Sequence, residues 1–200
     1  MNDQLIFKFP STKIYKKEDF YVSPSNQEAY DFINSWPRWV KRIINIHGPS
    51  GSGKSHLASI LKGKTSCMQI ETKELNDEIF LKFKTKEALI VENLSEKVSE
   101  KLLFTLWNLA LQDNKYLMIT SKKPINSYKF KLKDLVSRVK SGLIVGIALP
   151  SDDLISVILT KNFSDRQIVV EKKHIDYIIK RIDRSYEKIS QFILTLDKYS

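Results

Sequence analysis

The chain has 200 residues, 42% hydrophobic and 28% charged, a balance that excludes wholesale disorder and permits one compact domain with a small appendage. Its 33 Lys and Arg against 23 acids give a formal net charge of +10, which admits a polyanionic partner, although a surplus made mostly of lysine without arginine blocks also suits solvated faces. The single cysteine, Cys67, excludes an internal disulfide and a cysteine-cluster metal site; no apolar run nears the ~18 residues that span a bilayer, and Met1-Asn2-Asp3-Gln4 lacks a signal peptide's features, so we expect a cytoplasmic protein away from membranes.

Residues 1–19 read as a Lys-rich tail without periodicity. Ser23-Pro24-Ser25-Asn26 is a turn and helix-start signal, and the short helix after it must stop before Pro37. Ile43-Ile44-Asn45-Ile46-His47 predicts a strand ended by Gly48, with a helix from Lys54 to about Leu61. The alternation continues with a strand at Cys67–Ile70, a weak helix over 72–80, and a strand at Ala88-Leu89-Ile90-Val91 of the kind buried on both faces. Ser95 is expected to cap a long helix through about Gln112, followed by a strand at Tyr116–Thr120, a helix over 132–139 and a last strand at 143–147. Five strands alternating with helices predict an α/β fold, a five-stranded parallel sheet flanked by helices. Beyond Pro150 the pattern is helical: one helix capped by Ser151, then two more over about 172–182 and 185–198. The expected organisation is a tail over 1–19, an α/β body over 20–149 and a helical lid over 150–200, the last too small for an independent core.

The strongest chemical signal is Gly48-Pro49-Ser50-Gly51-Ser52-Gly53-Lys54-Ser55, which fills every fixed position of G-x-x-x-x-G-K-[ST] between a strand and a helix. Glycines let successive backbone N–H groups turn toward phosphate oxygens, and the helix that follows offers its positive end to the same anion. Lys54 adds a mobile charge for the outer phosphates, and the Ser55 hydroxyl can ligate Mg²⁺. The second requirement, a carboxylate at the end of an apolar strand, is met by Glu92, which would hold Mg²⁺ through water. Asn93 follows it where hydrolytic relatives of this motif carry an acid, and an amide cannot accept the proton of an attacking water. The pair predicts nucleotide binding with weak intrinsic hydrolysis. Thr120-Ser121 ends the next strand, where a hydroxyl could meet the γ-phosphate. Arg138 follows an amphipathic segment, and by spacing alone it suits either a solvated surface or a guanidinium lent to a neighbouring subunit's nucleotide. His47, Cys67 and the three tryptophans read as packing or strand-end residues.

Together these segments resemble the DnaA-type AAA+ family of P-loop NTPases, bacterial replication initiators and their paralogues, and most of all the Hda-like paralogues that inactivate the initiator. Asp19-Phe20-Tyr21-Val22 with Ser25-Asn26 and Ala29 is similar to the entry motif whose residues border the adenine, which places Val22 and Asn26 there. The phosphate loop with its trailing His56-Leu57 matches, Glu92-Asn93 resembles the acid–amide pair of the Hda-like branch, Thr120-Ser121 sits at sensor I, Leu135-Val136-Ser137-Arg138 is similar to the arginine-finger segment, and Arg181-Ile182-Asp183-Arg184 resembles the sensor II region. Two departures stand out. The sensor II register falls on Glu187 or Lys188, with Arg184 a turn earlier, and Lys122 stands where initiators carry an acid. Gln4-Leu5-Ile6-Phe7-Lys8-Phe9 looks like the short motif that docks on the bacterial sliding clamp, with Gln4 for hydrogen bonds and Leu5, Phe7 and Phe9 as apolar anchors; on its own, an ordinary first strand would look similar.

The resemblance implies a regulator of chromosome replication that binds ADP or ATP with Mg²⁺, docks on the clamp loaded on DNA, and uses Arg138 in trans to promote hydrolysis of initiator-bound ATP, preventing over-initiation. Since the sequence ends at Ser200, we expect no DNA-reading domain and contact with DNA only indirectly or non-specifically; self-association stays open. The alternatives are a DNA-binding AAA+ ATPase of helicase-loader type, which the charge supports, and a small P-loop kinase, which the scarcity of arginine beyond Pro150 disfavours.

Overall fold

The computed structural model describes residues 20–199, so Gln4, Leu5, Phe7 and Phe9 of the expected docking motif lie outside the described residues. Its elements are α1 (Gln27–Asn34), β1 (Ile43–His47), α2 (Lys54–Lys62), β2 (Cys67–Glu71), α3 (Asp77–Lys84), β3 (Ala88–Leu94), α4 (Glu100–Gln112), β4 (Tyr116–Ser121), α5 (Lys133–Val139), β5 (Leu143–Gly146), α6 (Asp152–Asp165), α7 (Lys172–Ile179) and α8 (Tyr186–Tyr199), with short 3₁₀ turns at Thr72–Glu74 and Ile125–Ser127. The strands form one sheet in the order β2-β3-β4-β1-β5, every neighbouring pair parallel. The expected five-stranded parallel α/β fold is therefore present.

Side chains alternate across the sheet, so each apolar strand feeds two cores. Ile43, Leu89, Val91, Leu117 and Ile119 face α3, α4 and α5, where they meet Phe83, Leu103, Leu106, Trp107 and Leu135. Ile44, Ile46, Ile90 and Met118 face the other way, onto Ala29 and Ile33 of α1 and Leu57 and Leu61 of α2. The helices after Pro150 gather around a smaller cluster of Ile155, Leu159, Ile175 and Ile189.

One buried polar side chain interrupts β1. Asn45 is buried, and its amide satisfies itself by donating to the Ile119 carbonyl at 3.1 Å and to Ser121 Oγ at 2.9 Å. Its Oδ1 accepts the Ile125 N–H at 2.9 Å, which ties the turn after β4 to β1.

The element boundaries depart from expectation at several points. The helix expected over 72–80 is split: a 3₁₀ turn ends at Glu74, and α3 starts at Asp77 because Asn76 adopts an extended backbone and its side chain accepts the Ile79 N–H at 3.2 Å. The long helix starts at Glu100, not at Ser95, with Ser99 as its cap. The Glu100 carboxylate takes the N–H groups of Lys131 and Leu132 ahead of α5, at 2.9 and 2.7 Å, so this register is fixed by a contact distant in sequence. β3 continues to Leu94, β5 stops at Gly146, and α7 ends at Ile179.

Truncating Leu106, fully buried between α4 and the sheet, is expected to cost about 2–5 kcal/mol of unfolding free energy, whereas Leu81→Ala, at a position 68% exposed, should stay within about 0.5 kcal/mol. Urea unfolding of the two variants checks the assignment of the core.

Candidate functional site

Parallel strands deliver their C-terminal ends to one edge of the sheet, and the site is assembled there. The loop leaving β1 is pinned on both sides: the Gly48 N–H donates to the Ser121 carbonyl at 3.1 Å, and the Ile147 N–H donates to the His47 carbonyl at 2.7 Å. It then turns through Gly51 (φ 80°) and Gly53 (φ 89°), and Gly53 is the N-cap of α2. Both lie in the left-handed region, and a Cβ on Gly53 would come within 3.0 Å of the Phe20 ring.

Lys54 opens α2 and is 8% exposed. Its ammonium donates to the carbonyls of Gly48 at 2.8 Å and Pro49 at 2.7 Å, and to Ser52 Oγ at 3.3 Å. Burial lowers its pKa to about 8, with Glu92 countering and Lys122 adding to the depression. Three neutral acceptors and one nearby carboxylate leave this ammonium short of negative charge, a deficit that an anion in the loop would fill.

Glu92, also buried, accepts the Ser55 hydroxyl at 2.8 Å on Oε2 and the Gln69 amide at 2.9 Å on Oε1. A hydroxyl and a carboxylate side by side are the hard oxygen donors that suit Mg²⁺ when phosphate oxygens and water complete the shell. Among the described residues no group of three His, Cys, Asp or Glu could hold a metal by itself.

Asn93 adopts a left-handed backbone (φ 57°) and its N–H donates to Thr120 Oγ1 at 3.1 Å. Its side-chain amide donates to both carboxylate oxygens of Glu71 at 3.1 and 3.2 Å. Glu71, which the sequence reading passed over, ends β2 directly opposite Glu92. Thr120 and Ser121 are buried, and Ser121 Oγ donates to the Lys123 carbonyl at 2.7 Å.

Two cavities meet along the loop. One, of about 310 Å³, is lined by Ser50 to His56 together with Asn93 and Lys122. The other, of about 420 Å³, shares Gly51, Ser52, Gly53 and His56, and extends between the entry segment (Phe20, Tyr21, Asn26) and the lid (Leu154, Val157, Ile158, Lys161, Asn162, Asp165, Tyr186). Asn26 pins the entry segment, its amide donating to the Tyr21 carbonyl at 3.0 Å while its Oδ1 accepts the Ser23 N–H at 2.9 Å. The Phe20 ring meets the His56 ring edge-on at 5.1 Å and stacks on Tyr30 at 5.4 Å.

Of the residues named from the sequence, the cavities therefore gather Asn26, Ser50, Gly51, Ser52, Gly53, Lys54, Ser55, His56 and Asn93. Gly48, Pro49, Glu92, Thr120 and Ser121 stand behind them as scaffold and hydrogen-bond partners. Val22, Arg184 and Lys188 line neither cavity. Arg184 is paired with Asp152 at 2.9 Å, and Lys188 lies exposed in the first turn of α8. The lid residue that reaches the loop is Tyr186, whose hydroxyl donates to the Ala148 carbonyl at 3.3 Å. Arg138 sits exposed in the last turn of α5, away from both cavities.

No protein-family profile matches the chain. It is 25% identical over 210 residues to the chromosomal replication initiator protein DnaA of Campylobacter jejuni (strain 81116), covering 92% of this chain and 48% of that protein. It is 27% identical over 221 residues to the same protein of Borreliella afzelii, covering 96% and 45%. The chain thus spans about half the length of the curated relatives it matches. Among solved structures, AMPPCP-bound DnaA from Aquifex aeolicus superposes with a TM-score of 0.76 at 19% identity, over 92% of this chain and 65% of that one. Domain III of Thermotoga maritima DnaA superposes with a TM-score of 0.73 at 20% identity, over 92% and 88%. A Thermotoga maritima RuvB gives 0.62 at 17% identity over 87% and 63%, so the fold is that of AAA+ P-loop ATPases.

Gly53→Ala is expected to destabilise the fold by more than about 1 kcal/mol, because it forces a side chain into the left-handed region against Phe20; Gly63→Ala, at φ −72° with its nearest neighbour 3.6 Å away, should be neutral or stabilising. Thermal unfolding of the pair tests whether the loop's geometry requires glycine.

Proposed function

With DnaA-type AAA+ kinship as the premise, we propose that the chain is an Hda-like regulator of replication initiation that uses bound adenine nucleotide as a structural switch. The observation that carries this reading is the junction of the two cavities at Gly51–His56: a largely apolar compartment for an adenosine opens directly onto an amide-lined cradle for its phosphates. In that arrangement Phe20, Asn26 and the α6 side chains enclose the nucleoside. The loop amides and Lys54 hold the phosphates.

Ser55 and Glu92 would hold Mg²⁺, which when bound supplies charge neutralisation across neighbouring phosphate oxygens. Asn93 offers an amide where a water-activating carboxylate would stand, and its N–H bonds are directed to Glu71, so intrinsic turnover is slow. Nucleotide binding stabilises the approach of lid to body by mass action. Arg138, exposed and outside both cavities, in this reading serves a second protein's ATP, the initiator's, where such a guanidinium is worth ~10³–10⁵ in rate. Gln4, Leu5, Phe7 and Phe9 anchor the chain on the sliding clamp, which brings a cytoplasmic protein to the nucleoid. Among the described residues no helix is long and apolar enough to cross a membrane. The net charge of +10 keeps a second reading in view, a DNA-binding ATPase of helicase-loader type.

Lys54→Ala should abolish ADP binding in titration calorimetry, and unchanged affinity would overturn the nucleotide reading. In a reconstituted assay with clamp loaded on DNA, the wild-type chain should accelerate hydrolysis of initiator-bound ATP and Arg138→Ala should not; stimulation of this chain's own ATP turnover by single-stranded DNA, lost at high salt, would favour the loader instead.

A further inference from the structure

We infer that the edge of the sheet opposite the phosphate loop is a docking surface for the phosphate backbone of duplex DNA. In a parallel sheet every strand is entered from the same edge, so the connection between each helix and the strand after it gathers there. From the last residues of α1, α2, α3, α4 and α5 to the strands that follow, these five connections carry nine Lys and Arg against two acids, Glu87 and Asp113. Their surplus of seven positive charges is most of the chain's net +10. The three inner strands take the larger share. Arg38, Lys41 and Arg42 lead into β1, Lys115 leads into β4, and Lys84 and Lys86 lead into β3.

Two of these cations are fixed by carbonyls, which hold a charge in place without cancelling it. Lys115 Nζ donates to the Lys84 and Lys86 carbonyls at 2.8 and 2.6 Å. Arg42 donates to the Asn114 carbonyl at 2.8 Å and lies over the Tyr116 ring at 4.9 Å. Arg38, Lys41 and Lys84 are exposed. The negative ends of the helices also reach this edge, but at about half an elementary charge each, five ends offset only about two to three of the seven. Five strands about 4.8 Å apart make an edge about 19 Å wide, along which a DNA duplex, with one charge every ~1.7 Å, presents roughly eleven phosphates. Two other polyanions suit the edge less well. A membrane surface calls for an apolar face among the cations, and Val40 is the one exposed large apolar side chain in these connections among the described residues. A single strand calls for open aromatic faces, and Trp36, Trp39 and Tyr116 pack on one another with ring centroids 4.2 to 5.6 Å apart.

The test is fluorescence anisotropy of the whole chain on a labelled DNA duplex of about 20 base pairs, at salt from about 50 to about 200 mM. Wild type is expected to bind with a log–log salt slope near about −4, the value for about four neutralised phosphates. Arg38→Ala/Lys41→Ala/Lys84→Ala should weaken binding about tenfold or more at the lower salt and flatten the slope by about three. Lys97→Ala/Lys172→Ala/Lys180→Ala removes as much charge from exposed positions elsewhere and should leave the slope intact. Four results overturn the inference: no duplex binding at the lower salt, equal losses from the two triple variants, tighter binding to a single strand of the same length, or capture by phosphatidylserine vesicles in place of duplex. None of the six residues lines either cavity, so both variants should bind ADP as wild type does and melt within a few degrees of it. A chain that binds ADP but no duplex overturns this inference and leaves the nucleotide reading standing.

Discussion

The parallel register of β1 between β4 and β5 is the constraint on which the rest depends. It sets His47 level with Ser121 and Gly146, so the chain leaving β1 is bonded at once on both sides. Asn45 locks that register from inside the sheet. Its amide needs partners that only the Ile119 carbonyl, Ser121 Oγ and the Ile125 N–H supply together. A slip of one residue would strand a buried amide and turn the apolar alternation inside out. The same side chain holds the start of the turn after β4 through the Ile125 N–H, so the strand that carries the phosphate loop and the chain leaving β4 are tied by one buried amide.

Charge at the strand ends follows a second economy. Two lysines approach the loop, and one carboxylate, Glu92, is buried there and already satisfied by Ser55 and Gln69. The other nearby acid, Glu71, stands one strand over and engages Asn93. The net sign of the cradle is positive in a partly desolvated space, where an added anion gains more than it would in bulk water. The acid and the amide have in effect been dealt to neighbouring strands: β3 carries Glu92 and Asn93, and β2 carries the carboxylate that holds the amide still.

What could be read in the sequence was whatever is written locally. The phosphate loop is eight contiguous residues whose backbone demands glycine, and each sheet strand is a short apolar run. What could not be read was set by contacts far apart in the chain. Ser95 and Ser99 are both plausible caps, and the choice fell to Ser99 once Glu100 reached Lys131 and Leu132. The break at Asn76 was legible in the Asn-Asp-Glu start signal but was masked by the apolar residues on either side of it. Glu71 looks like any strand-end acid until the β2–β3 pairing puts it beside Glu92 and Asn93. The lid contact passed to Tyr186 in place of Arg184 or Lys188, because α8 starts at the point where the chain comes back over the loop.

Tyr186 has a consequence of its own. Its Cβ is 3.0 Å from where a side chain on Gly51 would begin, and its hydroxyl reaches the chain just beyond β5. The cradle is thus a thin partition, with peptide amides on one side and the Tyr186 Cβ and backbone on the other. Closely packed matter transmits displacement instead of absorbing it. The loop at Gly51 and the first turn of the C-terminal helix are therefore packed as one unit, and neither has room to be displaced without the other.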